Sequence, residues 1–125
     1  MQKLDEFKPD NLIAGYMHQT TEQVFLKSGF VYKRGSVLAK TPTGECTLVD
    51  SSNADTNEVY GILAHDVDTT NSAQTSRIFG VVYLSGEFNK RELIFGGNDT
   101  LEQHIDAARK QGIYFVDTSA TTTND

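Results

Sequence analysis

The sequence predicts a mainly β fold of the α+β class: a small curved or barrel-like sheet, one packed helix and an extended N-terminal arm. Short runs of β-branched and aromatic residues alternate with clusters of Asp, Thr, Asn, Ser and Gly, a pattern typical of strands joined by tight loops. Only one later segment has apolar residues at helical spacing. With 125 residues, the chain predicts a single domain with a modest core.

The first 21 residues are polar and have neither helical nor strand periodicity. Two interpretations stay open from these residues alone. The segment is either a flexible end or an arm that becomes ordered when it binds a partner. If the segment is an arm, its apolar residues are the candidate contacts: Leu12, Ile13, Tyr16 and Met17.

The next segment predicts the first strands, from apolar runs at residues 24–26, 30–32 and 37–39. A turn at residues 41–44 contains Pro42, whose fixed φ suits that position. Cys46 then begins a returning strand, so residues 35–49 predict a hairpin. Residues 50–57 have the composition of a surface loop.

Residues 58–95 are the centre of the predicted sheet. Apolar runs at residues 59–64 and 78–84 flank a polar turn at residues 68–72. Gly61, Gly80 and Gly86 lie inside this strand pattern, where glycine indicates a bulge or a close approach of the backbone. We therefore interpret these three residues as structural glycines.

One helix follows, starting after Thr100. Thr100 and Gln103 have the spacing of a capping box. Residues 101, 105 and 108 give the helix one apolar face, and Gly112 suits the left-handed position that ends it. Residues 113–116 predict a final strand. The expected organisation is an arm at residues 1–21, a β-rich domain at 22–117 and a disordered tail at 118–125.

The composition argues against several classes of protein. Seventeen acidic and 11 basic residues give a net charge of −6, which disfavours binding to nucleic acid. No apolar run is long enough to span a bilayer, and residues 1–10 lack the apolar core of a secretion signal. The single cysteine, Cys46, is expected to be a reduced thiol on a strand.

Candidate catalytic and metal-binding groups do not combine into a site. His65, Asp66 and Asp68 are close in sequence, but neighbouring strand residues point to opposite faces. There is no Gly-x-Ser-x-Gly motif. An anion site at Gly96 and Gly97 is disfavoured by the nearby Asp99. We therefore expect no catalytic residue, no bound metal, no cofactor and no enzymatic activity.

Four segments give the chain a family resemblance: RGSVLAK at residues 34–40, YGILA at 60–64, VYLSGEF at 82–88 and LIF at 93–95. In this order and spacing the chain, over roughly residues 33–116, resembles the lambda-type head-decoration proteins of tailed bacteriophages. One departure is that the family's frequent Leu-Trp step is replaced by Ile94 and Phe95.

The resemblance implies a structural capsid decoration (cementing) protein on the outer surface of the virion. Such a protein is made in the cytoplasm of the bacterial host. It binds the outside of an expanded phage head as a trimer at local threefold axes, and it stabilises the head. The implied partners are the major capsid protein and two further copies of the chain, with no nucleic acid or membrane. The arm would then bind the capsid through Leu12, Ile13, Tyr16 and Met17. The alternative is a β-module of a phage tail or fibre that binds a small ligand or carbohydrate.

Overall fold

The computed structural model describes residues 12–14, 19–70 and 78–116. It confirms the predicted fold class, because within these residues strands dominate and one α-helix packs beside them. The strands are β1 (Thr21–Leu26), β2 (Val31–Tyr32), β3 (Val37–Lys40), β4 (Cys46–Leu48), β5 (Gly61–Leu63), β6 (Val67–Asp68), β7 (Ile78–Tyr83), β8 (Gly86–Asn89) and β9 (Ile113–Val116). Helix α1 (Leu101–Lys110) precedes β9, and a 3₁₀ turn spans Lys90–Glu92.

Five strands form a closed barrel in the order β1-β4-β3-β5-β7. Strand β7 returns to β1 and pairs with it antiparallel along the whole of both strands. Strands β1 and β4 meet in parallel, with Leu26 opposite Cys46. Closure matters because a closed sheet has no free edge to pair with another chain.

The predicted hairpin is confirmed. Strands β3 and β4 are antiparallel, with Leu38 opposite Leu48. The turn between them is closed by a hydrogen bond of 2.9 Å from the Gly44 N–H to the Thr41 carbonyl. Strands β2 and β6 form a separate antiparallel ribbon beside the barrel.

The third sheet places β8 and β9 in parallel, and α1 lies in the connection between them. The capping prediction is confirmed, since the Thr100 N–H donates to Oε1 of Gln103 at 2.7 Å. The helix also ends as expected: Gly112 has a φ of +90° and its N–H donates to the Arg109 carbonyl at 3.0 Å.

Two apolar clusters share strands β3 and β5. Val37 and Ile62 belong to a cluster with the helix and the β8–β9 sheet. Their neighbours Leu38 and Leu63 belong to a second cluster with β1 and β7. Adjacent strand residues point to opposite faces, so β3 and β5 are buried on both sides. This explains why their sequences are continuously apolar.

Part of the predicted arm, residues 1–21, is in contact with the domain. Thr21 is the first residue of β1, and residues 12–14 pack on the β8–β9 sheet. The predicted tail at residues 118–125 lies outside the described residues. Within the described part of the chain, no helix is both long and apolar enough to cross a membrane.

Candidate functional site

Residues 12–14 lie along β8 and pair with it through one isolated β-bridge. The Asn89 N–H donates to the Leu12 carbonyl at 2.7 Å, and the Ala14 N–H donates to the Glu87 carbonyl at 2.9 Å. Between these two bonds, Ile13 lies opposite Phe88 in antiparallel pairing. The described part of the arm is therefore attached to the edge of β8 by a single β-bridge.

The side chain of Leu12 is buried inside the domain, with 1% of its surface exposed. It belongs to the cluster that contains Val37, Phe88 and Ile113. Gly35 lies beside it, because a Cβ at Gly35 would be 3.6 Å from a methyl carbon of Leu12. The sequence predicted Leu12 as a contact residue of the capsid-binding arm, and in this structure its side chain is part of the core of the domain.

Ile13 is the arm residue left at the surface. Adjacent residues of an extended chain point to opposite sides, so burial of Leu12 turns Ile13 outwards, and 36% of its surface is exposed. Tyr16 and Met17, the other two predicted contacts, lie outside the described residues. The capsid-binding role of Ile13, Tyr16 and Met17 stays a prediction.

Gly86 lies where the arm, β8 and β9 meet. Its φ of +138° is one that side chains rarely adopt. A Cβ there would be 3.0 Å from Cγ of Gln19 and 3.2 Å from Cζ of Phe88. Any larger residue would therefore strain the backbone and push against the side chains of Gln19 and Phe88.

The other two candidate glycines lie where neighbouring groups come close. A Cβ at Gly61 would be 3.0 Å from the carbonyl oxygen of Tyr83. A Cβ at Gly80 would be 3.1 Å from a methyl carbon of Leu26 and 3.2 Å from one of Leu63. Both glycines thus let the β5–β7–β1 part of the barrel pack closely.

Several apolar side chains remain at the surface of the described residues. Phe79 is 49% exposed and packs edge-to-face against Phe25, its cross-strand neighbour, with 5.9 Å between the ring centroids. The other large apolar residues that are exposed are Ile13, Phe30, Val31 and Ile94. Aromatic residues are enriched on surfaces that contact other proteins.

The comparison with known families identifies the chain. The family described as bacteriophage lambda head decoration protein D matches residues 3–114, which include both the arm and the folded domain. The chain belongs to this family. A search of curated proteins finds no match.

Membership of the head decoration family confirms the resemblance seen in the sequence and supports a structural role on the capsid of a virion. It also argues for a protein that binds the phage capsid rather than for an enzyme.

Asp66 and Asp68 have local structural roles. Oδ1 of Asp66 accepts a hydrogen bond of 2.7 Å from the N–H of Arg34. Oδ1 of Asp68 accepts from the N–H and the hydroxyl of Thr70, at 2.8 and 2.5 Å, and these bonds lower the pKa of Asp68. Across residues 12–14, 19–70 and 78–116, no three His, Cys, Asp or Glu side chains are grouped to hold a metal ion.

Cys46 lies on β4, as expected, and its thiol is fully buried. Burial raises the pKa of this thiol to about 11. Because the thiolate is the reactive form of cysteine, the position and the pKa both favour an inert core residue.

The sequence did not indicate the buried pair of His104 and Asp99. Nε2 of His104 lies 2.5 Å from Oδ2 of Asp99, and the imidazole stacks on Phe95 with 5.6 Å between the centroids. The Asp99 carboxylate also accepts from the N–H of Ser51 at 2.8 Å and from its hydroxyl at 2.7 Å. The serine hydroxyl thus donates to the carboxylate and not to the imidazole, which differs from a nucleophile activated by a histidine base.

The sequence places Asp99 and His104 near each other but does not connect Ser51 to them. Asp99 lies just before α1 and His104 in its first half, so the two are close along the chain. Ser51 is 48 residues away from Asp99, and no local pattern connects it to the helix.

Proposed function

We propose that this protein is a capsid decoration (cementing) protein that binds the outside of an expanded phage head, as a trimer at local threefold axes, and stabilises the head. Its partner is the major capsid protein. It acts on the outer capsid surface after synthesis in the cytoplasm of the bacterial host. The observation on which this proposal rests is the family match from residue 3 to residue 114.

The arm geometry supports capsid binding through the N-terminal segment. Residues 12–14 are attached to β8 by two backbone hydrogen bonds and by the buried side chain of Leu12. A segment fixed in this way transmits a pull on the preceding residues to the core of the domain. We propose that residues 1–11, Ile13, Tyr16 and Met17 contact the shell, while Leu12 serves as the anchor.

The surface supports association with further copies of the chain. A domain of this size has a modest core, and the Phe25–Phe79 pair on β1 and β7 leaves apolar surface in water. Burial of such surface between copies is favourable, and closed symmetry is the usual arrangement of identical copies. Three arms on one trimer would also bind the shell with an avidity that one weak contact does not reach.

Co-sedimentation with purified heads tests the proposal. We expect the full chain to pellet with expanded heads and to stay in the supernatant with unexpanded heads. Ile13→Asp should weaken the binding, because it places a charge at an apolar contact. Asn57→Asp, at an exposed loop position, is the matched control and should bind normally. Equal absence of binding to both kinds of head would contradict the proposed function.

The oligomeric state needs a separate measurement. Light scattering of the free protein reports whether the trimer forms before binding. A reconstruction of decorated heads then decides the state on the capsid, and single copies placed away from the threefold axes would contradict the trimer.

A further inference from the structure

A cleft on the described surface has the chemistry of a ligand site that capsid decoration does not require. It lies between the residues that precede β2, strand β4, the loop that follows β4, and the glycine pair before α1. Its volume is about 270 Å³. Phe30, at the wall of the cleft, is 45% exposed.

Asp50 gives the cleft a hydrogen-bond acceptor. Oδ1 of Asp50 accepts from the N–H and the hydroxyl of Ser52, at 3.0 and 2.7 Å, which fixes the carboxylate in place. Oδ2 accepts no hydrogen bond from the described residues. Gly97 keeps the approach open, since a Cβ there would be only 2.9 Å from Oδ1.

Donor groups lie in the same cleft. Oδ1 of Asn53 accepts from the Asp55 N–H at 2.9 Å, which leaves the amide NH₂ of Asn53 to donate elsewhere. The ammonium group of Lys27, also in the wall, donates to no acceptor within the described ranges. Residues that carry donors, an acceptor and an exposed aromatic ring thus line one cleft.

Thr56 provides an independent sign of an absent partner. It lines the cleft and is 5% exposed. Its backbone is satisfied by Asn53 and Asp50, at 3.0 and 2.8 Å, but its hydroxyl forms no hydrogen bond with any described group. Buried hydroxyls normally form hydrogen bonds, so a ligand hydroxyl in the cleft would satisfy the hydroxyl of Thr56.

We propose that the cleft binds one uncharged pyranose unit of a glycan. A sugar hydroxyl both donates and accepts, which matches a carboxylate oxygen beside an amide and an ammonium group. The C–H face of the ring suits the exposed face of Phe30. The carboxylate of Asp50 and the net charge of −6 disfavour an acidic sugar. A decorated head would then carry many weak sites, and their combined avidity would let the head bind a glycan-covered surface.

The test is an NMR titration of the full ¹⁵N-labelled chain. The probes are the methyl glycosides of glucose, galactose and N-acetylglucosamine, with glucuronate as the acidic comparison. We expect at least one neutral glycoside to shift the amide signals of Phe30, Asn53 and Gly97, and glucuronate to bind less tightly. Phe30→Ala and Asp50→Asn should each raise the Kd by about tenfold or more. Val31→Ala is the matched control, since Val31 is 53% exposed beside Phe30 but does not line the cleft, and its Kd should not change.

The outcomes that overturn the site are equally specific. No shift with any neutral glycoside, an unchanged Kd in Phe30→Ala and Asp50→Asn, or tighter binding of glucuronate would each contradict it. Co-sedimentation of Phe30→Ala with expanded heads separates the two proposals. If this variant loses sugar binding but still decorates heads normally, the cleft binds sugar independently of capsid binding.

Discussion

The side chains of His104 and Asp99 form a buried pair, with 2.5 Å between Nε2 and Oδ2. Only 2% and 4% of their surfaces are exposed. The same carboxylate accepts two hydrogen bonds from Ser51, so it joins the loop after β4 to the start of α1. This junction holds the helix layer against the loop that also forms the wall of the proposed sugar cleft.

The pair predicts how stability depends on pH. Burial raises the pKa of Asp99, but hydrogen bonds from His104 and Ser51 outweigh it and hold the pKa below its ordinary value of 3.8. A carboxyl with a lowered folded pKa stabilises the fold above its unfolded pKa, and this stability is lost as the pH falls through the folded pKa. We therefore expect the free energy of unfolding to decrease as the pH is lowered below about 4. In Asp99→Asn this decrease should be less steep.

Denaturant unfolding at several pH values measures this effect. Asp68→Asn is a suitable control, because Asp68 also has a lowered pKa but is exposed. Loss of the Asp68 carboxylate should lower the free energy of unfolding little at neutral pH, since solvent screens exposed charges. If wild type and Asp99→Asn show the same pH slope, the contribution of Asp99 is refuted.

Substitution of Gly86 tests the junction of arm and sheet. Gly86→Val combines an unfavourable φ with close contacts to Gln19 and Phe88, so we expect a loss of roughly 1–3 kcal/mol in the free energy of unfolding. Gly29→Val is the control, because Gly29 has a φ of +94° but open space around it. Both variants strain the backbone, but only Gly86→Val also overlaps with neighbouring side chains. Thermal and urea unfolding of the two variants therefore separate the cost of strain from the cost of overlap. A smaller loss for Gly86→Val than for Gly29→Val would contradict the packing argument.

Cys46 should be unreactive while the protein is folded. Its thiol is buried and burial raises its pKa to about 11, so little thiolate exists at neutral pH. We expect a thiol reagent to label Cys46 only in denaturant. Rapid labelling of the native protein at neutral pH would show that the barrel opens at β4.

The local features of the fold follow from the sequence. The β3–β4 hairpin was predictable because its turn and its two strands are contiguous, and α1 because Thr100, Gln103 and Gly112 mark its ends. The parallel contact of β1 with β4 and the pairing of β8 with β9 were not predictable. They join segments far apart in the chain, and the pattern of one strand does not specify its neighbour.

The candidate site was predictable only in part for a similar reason. Leu12 and Ile13 are adjacent apolar residues in a polar segment, and nothing in that pattern states which one faces the core. The structure decides it through the register with β8, where Ile13 lies opposite Phe88. The family resemblance identified the role of the protein but could not place these side chains.

The anchoring role of Leu12 gives the most direct test of the arm. From the sequence alone, removal of residues 1–19 would be expected to leave the domain stable, but Leu12 is a core residue. We therefore expect Leu12→Ala to lower the free energy of unfolding by about 2–5 kcal/mol. Ile13→Ala is the matched control and should change it by less than about 1 kcal/mol, because Ile13 is partly exposed.

Two truncations then separate anchoring from capsid binding. Removal of residues 1–11 keeps Leu12 and its bond to Asn89, so we expect a nearly unchanged melting temperature together with weaker decoration of expanded heads. Removal of residues 1–14 deletes Leu12 and the β-bridge to β8 and should lower the melting temperature as well. Full decoration by the shorter truncation would show that residues 1–11 do not bind the shell. Equal melting temperatures for the two truncations would show that residues 12–14 do not anchor the arm.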